Sequence, residues 1–467
     1  MSIRTRTAVL VPALAASLIG LTAAIPAHAA PAPDLADQLE ALPGVTVTAE
    51  QPPPAEGYRF FLLTIRQPVD HTNPAGATFE QRFQLLHRAQ DRPMVLHTTG
   101  YNMPEYAFRS EPTALLDANQ ISVEQRFFSP SRPDPADWDT LTIWQGATDH
   151  HRIVQTLAPL YTQAWISTGA SKGGMTSVYH RRFYPRDVDG VVAYVTPNDA
   201  NNRADTAYDR FFDTVGTTPA CRTALKALQR EALNRRTDLV TLYDAYAADN
   251  DLTFDEVFGS SDRAFEMIVL DLEWVFWQHS SEAACDTVPG ADATTEEIFA
   301  FIETIAVPSF YSDEGITPYA PYYYQAATQL GWPQPKFRYL KDLLRYPNLY
   351  VANSSLPADL RAPHDPLPMS DVDRWVSREA SEILFVYGGN DPWGAERFHP
   401  GGPDTHTFTA PGANHGADIE LLTPADRASA TATVLRWGGV EAVTAPLASA
   451  ALAELDQRDP RNQRWPM

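Results

Sequence analysis

The chain has 467 residues, 44% of them hydrophobic and 20% charged, so it carries enough apolar material for a large core with an insertion or a second unit. A formal net charge of −22, with no basic run, argues against nucleic acid and anionic membranes as partners and favours solubility outside cells.

Arg4 and Arg6 precede the apolar run AVLVPALAASLIGLTAAI, and Ala27-His28-Ala29 supplies an A-x-A site. This pattern predicts a signal peptide over residues 1–30, cleaved near Ala29 or Ala30, and hence a secreted, extracellular protein. Pro12, the many alanines and the cleavage site argue against a membrane anchor. Residues 31–56, rich in proline and alanine, read as an N-terminal arm. From Tyr58 the stretches YRFFLLTIRQPVDH and FEQRFQLLHRA read as strands about the turn TNPAG. RPMVLHTTGY reads as a buried strand entering a polar turn, and NQISVEQRFF as another. DWDTLTIWQGATDHHRIVQTLAPLY has helical spacing. QAWISTGAS is then a strand, KGGMTSVYHRRFYP a helix and VDGVVAYVTPND a further strand. That order, with near-continuous apolar strands, predicts a parallel sheet covered by helices.

The texture changes beyond Asp199. Residues 201–345 carry helical patterns such as CRTALKALQREAL and AFEMIVLDLEWVFWQ, and are expected to form an inserted α-helical domain between core segments 31–200 and 346–467. Strand chemistry returns at EILFVYGGNDPW and THTFTAPGANHGADIELL, before a closing helix, PADRASATATVLRWGG. Cys221 and Cys285 are the only cysteines, so one disulfide stapling the insertion is the default for an exported chain. A metal site on these cysteines is not expected, because no histidines lie near them at ligand spacing.

Gly169-Ala170-Ser171-Lys172-Gly173 fits G-x-S-x-G, a serine on a tight strand-to-helix turn. Residues two before and two after the serine must lack bulk, so that its side chain projects above the sheet. The Lys172 amide can then face a developing oxyanion, while the Lys172 side chain is expected to face solvent. A second oxyanion donor is expected in LHTTGYN, near Gly100 and Tyr101. A hydroxyl nucleophile needs a general base, and the base needs an orienting carboxylate. Asp391, ending a strand in ILFVYGGNDPW, and His415, in the loop PGANHGAD, follow in the required order. Asp418 follows His415 too closely to be that acid, and Asp199, ending a strand in VTPND, is expected to be a cap. His150 and His151 sit in a helical pattern, His399 and His406 lack a matching motif, and Asp70-His71 belongs to a turn. These readings together predict an α/β fold: an α/β-hydrolase core with a helical cap, acting without metal or organic cofactor.

With those residues in place, the chain resembles the secreted bacterial prolyl tri- and tetrapeptidyl aminopeptidases, and more distantly the prolyl carboxypeptidases. The matching stretches are QPVDHTNP, FEQRF, ISVEQRFFSPSRP, GASKGGMTSVYHRRFYPRDVDGVVAYVTPND, YGGNDPW and NHGADI, which cover most of the mature chain in order. The resemblance implies Ser171, Asp391 and His415 as the triad, and hydrolysis after proline that releases short peptides from a free N-terminus. Thr99 departs from the pattern, since an acidic residue is expected there. An N-terminal exopeptidase also needs a counter-charge for the substrate ammonium. Glu124 in SVEQRF is the candidate, against a structural pairing with Arg82 or Arg126. Trp274, Trp277 and Tyr323, within the run Tyr322-Tyr323-Tyr324, are candidates for a flat slot that takes a proline ring, against a role in the core. The same triad also serves a secreted esterase or lipase. A catalytically silent binding protein on a hydrolase scaffold is the reading from outside enzymology.

Overall fold

The apolar runs become strands of one sheet in a computed structural model that describes residues 33–200, 205–441 and 450–460. The expected leader lies outside the described residues. The strands are β1 (Val45–Gln51), β2 (Arg59–Pro68), β3 (Thr78–His87), β4 (Met94–Thr98), β5 (Asn119–Val123), β6 (Trp165–Ala170), β7 (Gly190–Tyr194), β8 (Ile383–Gly388) and β9 (Thr405–Ala410). They lie in the order β1-β2-β3-β5-β4-β6-β7-β8-β9. Pairings from β1 to β5 are antiparallel, and every pairing from β5 through β4 to β9 is parallel. All residues of β4, β5, β7 and β8 are buried, which is why those runs read as continuously apolar.

The segment expected to be an arm is instead part of the sheet. Helix α1 (Leu35–Glu40) buries Leu35 and Leu39, and β1 pairs antiparallel with β2. The alternation in VTVTAEQ marks that edge strand, and the proline-rich surroundings hid it. Helix α2 (Glu111–Leu116) lies between β4 and β5, α3 (Ile143–Leu157) between β5 and β6, and α4 (Lys172–Phe183) between β6 and β7. Strand order turns about β4 and β6: the chain leaves β4 towards β5 on one side and β6 towards β7 on the other. In open parallel sheets, ligands bind outside the carboxyl ends of the strands at such a reversal.

Between β7 and β8 the described chain forms helices: α5 (Thr206–Thr214), α6 (Pro219–Asn234), α7 (Arg236–Asp249), α8 (Ser261–His279), α9 (Thr295–Ala306), α10 (Asp313–Ile316) and α11 (Ala320–Gln325). Helix α8 is buried on every face from Ala264 to Gln278, its Glu266, Asp271, Glu273 and Gln278 included. It forms the axis of a second core, in which Trp274 and Trp277 meet Tyr208, Phe212, Phe276 and Trp393. Helix α12 (Leu367–Arg378) leads into β8, and α13 (Pro424–Trp437) and α14 (Ala450–Gln457) follow β9.

Cys221, on α6, is disulfide-bonded to Cys285, 64 residues on. In the loop-entropy account, a cross-link closing a loop of that length constrains the unfolded chain by about 4 kcal/mol. Replacing both cysteines by alanine should therefore lower the urea midpoint, with a stability loss of about 2–4 kcal/mol. An unchanged midpoint would show that the helices need no staple.

Candidate active site

Ser171 sits at φ 54°, ψ −126°, in a left-handed region that non-glycine residues rarely occupy. The turn is possible because the residues two before and two after the serine, Gly169 and Gly173, have no side chains. A Cβ on Gly169 would lie 2.5 Å from the Gly173 carbonyl carbon, and one on Gly173 would lie 2.4 Å from the Thr98 carbonyl oxygen. Hydrogen bonds fix the strained residue on both sides: Ser171 N–H donates to Tyr194 O at 2.9 Å, and Met175 N–H donates to Ser171 O at 3.0 Å. The serine is thus presented between the end of β6 and the first turn of α4.

Asp391 and His415 lie beyond the ends of β8 and β9, at the same carboxyl edge of the sheet as Ser171. Asp391 Oδ2 lies 2.8 Å from His415 Nδ1, and Oδ1 accepts from Trp393 N–H at 3.1 Å. The carboxylate is buried while the imidazole edge is partly exposed. This arrangement leaves Nε2 as the free face of the ring. The loop carrying His415 is tied to the helical segment, because His415 N–H donates to Gln278 O at 3.1 Å. The Gln278 side chain accepts from both indoles, Trp274 Nε1 at 3.1 Å and Trp393 Nε1 at 2.8 Å. Nothing local in the sequence distinguishes Gln278 from any other residue of α8, and its role comes from tertiary contacts alone.

The Lys172 side chain is buried rather than solvent-facing. Its Nζ donates to Gly100 O at 2.5 Å and lies 5.7 and 5.9 Å from the rings of Tyr101 and Phe128. Burial lowers its pKa from 10.5 to about 7. The bond anchors the β4–α2 loop to the turn, where Gly100 has φ +74° and a Cβ would come within 2.5 Å of Gly173 N. Lys172 opens α4, so its amide has no acceptor within the helix and is free to serve as an oxyanion donor. The Tyr101 amide is not so placed: it donates to Thr99 Oγ1 at 3.2 Å. The Thr99 hydroxyl in turn reaches the carbonyls of Tyr101 and Val123, so threonine shapes this loop by hydrogen bonding. What Tyr101 brings to the site is its half-buried phenol, within hydrogen-bond reach of the Ser171 hydroxyl.

Glu124 is fully buried and its oxygens are consumed. They accept from Arg82 at 2.6 and 3.1 Å, from Ser131 Oγ at 2.5 Å and from the amides of Met103 and Ser131. Arg126 belongs instead to Asp149. Of the two alternatives that the sequence leaves open for Glu124, its oxygens are committed to the pairing with Arg82. Trp274 and Trp277 belong to the core around α8, and Tyr323 is buried beside Trp332. The small cavity at Ser171 is walled instead by Tyr322, Trp393, Met175, Leu330 and Gly331. Trp393, two residues past Asp391 in NDPW, is the local signal for that wall.

Asp199 lines the same cavity. It was expected to cap a helix, yet among the described residues neither of its carboxylate oxygens has a hydrogen-bond partner, although the residue is 3% exposed. Five of the other named residues are occupied elsewhere: His150 by Gly146 O, His151 by Asp187, His406 by Asp404, His71 by Asp149, and Asp418 by Leu421 N–H.

The profile of the family described as PS-10 peptidase S37 matches residues 29–465. A prolyl tri/tetrapeptidyl aminopeptidase of Streptomyces mobaraensis is 50% identical over 415 residues, 88% of this chain and 86% of the relative. Among solved structures, a proline iminopeptidase from Mycobacterium smegmatis is 15% identical with a TM-score of 0.38, over 80% of this chain and 98% of that one. A peroxisomal α/β-hydrolase from Saccharomyces cerevisiae is 11% identical with a TM-score of 0.36, over 86% and 96%.

The buried lysine gives a prediction with a definite sign. Its pKa of about 7 in the folded protein lies below the 10.5 of the unfolded chain, so between those values the unfolded state binds the extra proton. Stability therefore rises with pH in that window. Denaturant unfolding should show wild type gaining on Lys172→Met as pH is raised from about 7 towards 10, and a pH-independent difference would refute the assignment.

Proposed function

Because the chain belongs to the PS-10 peptidase S37 family, we propose that it is a secreted serine exopeptidase that cleaves after proline and releases tri- or tetrapeptides from a free N-terminus. The serine peptidase activity of aminopeptidase type comes with the family and with the identity to the Streptomyces relative. The observation that carries the chemistry is the 2.8 Å contact between His415 and Asp391 at the carboxyl edge that also presents Ser171.

In the reading we favour, His415 Nε2 takes the proton of the Ser171 hydroxyl as its oxygen attacks the prolyl carbonyl carbon. Asp391 holds the imidazole in the tautomer with hydrogen on Nδ1 and stabilises the imidazolium. The tetrahedral oxyanion is met by the Lys172 amide and by the backbone near Gly100, held close by the Lys172 side chain. Collapse breaks the C–N bond, and His415 returns the proton to the leaving amine. A water then attacks the acyl-enzyme by the same base catalysis, freeing the short peptide acid and restoring Ser171. Proline preference is supported by the name of the Streptomyces relative and by the aromatic walls, Tyr322 and Trp393, which offer flat apolar faces to a pyrrolidine ring. Export is supported by the leader pattern and by the Cys221–Cys285 disulfide. Among the described residues, no helix is long and apolar enough to cross a membrane.

Ser171→Ala should abolish hydrolysis of Ala-Ala-Pro-p-nitroanilide and labelling by a fluorophosphonate, with turnover down by a factor of about a thousand or more. Retained turnover in the purified variant would sink the assignment. Mass spectrometry of products from peptides with proline at varied distances from the N-terminus should show cuts only after a proline in position three or four. Cleavage at internal prolines of long peptides would refute the exopeptidase reading.

A further inference from the structure

Three carboxylates converge beside the cavity of Ser171. Oxygens of Asp199, Asp205 and Glu396 lie within 4.8 Å of one another. Their meeting follows from the topology. The segment after β7 bridges antiparallel to the segment after β8 at Pro197 and Arg397, and Asn198 N–H donates to Glu396 O at 3.1 Å. Asp205 comes from the first helical segment of the insertion, immediately before α5. The core and the helical segment therefore both contribute to the cluster.

Structural reasons for such a cluster are wanting at Asp199. Burying an ionised carboxylate is expensive unless a cation or donors compensate it. Lys336 Nζ lies 4.0 Å from Asp205, and Arg210 acts favourably on Glu396. Asp199 has neither: burial and its two acidic neighbours all push its carboxyl well above the usual carboxylate range. Both its oxygens are without partners among the described residues, and the residue faces the cavity that holds Ser171. Such a group remains costly until a cation arrives from the cavity side.

We propose that Asp199, supported by Glu396 and Asp205, receives the α-ammonium of the peptide substrate and so makes a free N-terminus a condition of cleavage. This rests on the exopeptidase reading above and names the group that enforces it. The ammonium brings three donors and one positive charge to the Asp199 oxygens, which have no hydrogen-bond partner among the described residues, in a site where little water screens them. The counter-charge comes from VTPND, beyond β7, and not from SVEQRF, where Glu124 is already spent on Arg82.

The test compares Ala-Ala-Pro-p-nitroanilide with propanoyl-Ala-Pro-p-nitroanilide, which lacks only the amino group. Wild type should favour the amine in kcat/KM by about 10- to 100-fold, the range of a charge-assisted hydrogen bond. Asp199→Asn should cut that preference at least about tenfold, and Glu396→Gln should cut it less. Glu396→Gln keeps the test available if Asp199→Asn does not fold. A preference that survives in both variants would overturn the proposal, because a purely structural role lowers both substrates alike. So would calorimetric binding of calcium to wild type that is lost in Asp199→Asn while the preference persists, since the cluster would then be a metal site. Turnover retained in Ser171→Ala would strike the underlying peptidase reading and leave the amine ratio measurable.

Discussion

Everything at the active edge depends on how closely three stretches of backbone approach one another at the serine turn. The loop after β4, the end of β6 and the start of α4 meet at distances that admit no Cβ at Gly100, Gly169 or Gly173. That contact holds Ser171 in a backbone conformation costing roughly 1–3 kcal/mol, which the surrounding structure must absorb. Buried polar contacts brace it: Thr98 Oγ1 meets Gly173 O at 2.7 Å and Ser177 Oγ at 2.7 Å, and Lys172 reaches across to Gly100 O. The stretch KGGMTSVYHRR is scarcely apolar, yet it is buried from Lys172 to Arg181 because small and hydrogen-bonded side chains let the helix sit close beneath the sheet.

The helices between β7 and β8 are joined to this edge by more than covering it. Gln278, near the end of the buried helix α8, holds the His415 loop by its carbonyl and two indoles by its side chain. One of those indoles, Trp393, also lines the cavity at Ser171. The histidine's position, the cavity wall and the second core are thereby coupled through one residue. The acidic cluster repeats the pattern, because Asp205 introduces α5 while Asp199 and Glu396 follow core strands.

The local features were legible. The serine turn announces itself because its steric demand falls on residues two positions away. Asp391 follows because it sits just beyond the strongly apolar strand ILFVYG, and His415 because it sits in the loop after the next strand, THTFTA. Lys172 is buried where a solvent-facing side chain is expected, since a lysine one residue past a turn gives no local hint that Gly100 O and two rings will enclose it. Glu124 was read as a candidate for amine binding because strand position was visible while its partner Arg82, 42 residues earlier, was only one of several possible cations. The edge strand β1 was overlooked because its alternation is short and half-exposed.

What the sequence determined by itself was the chemistry carried by nearest neighbours: a glycine-flanked serine between strand and helix, an acid and a histidine after later strands, and two cysteines to pair. Steric limits and apolar periodicity act over a few residues, so they can be read along the chain. The tertiary structure decided which charges are satisfied. It gave Glu124 to Arg82, Arg126 to Asp149 and Lys172 to a carbonyl, and left Asp199 without a partner among the described residues, in the cavity of Ser171. Electrostatic compensation is settled by groups far apart in sequence that burial brings within hydrogen-bond reach, and no spacing rule along the chain encodes it.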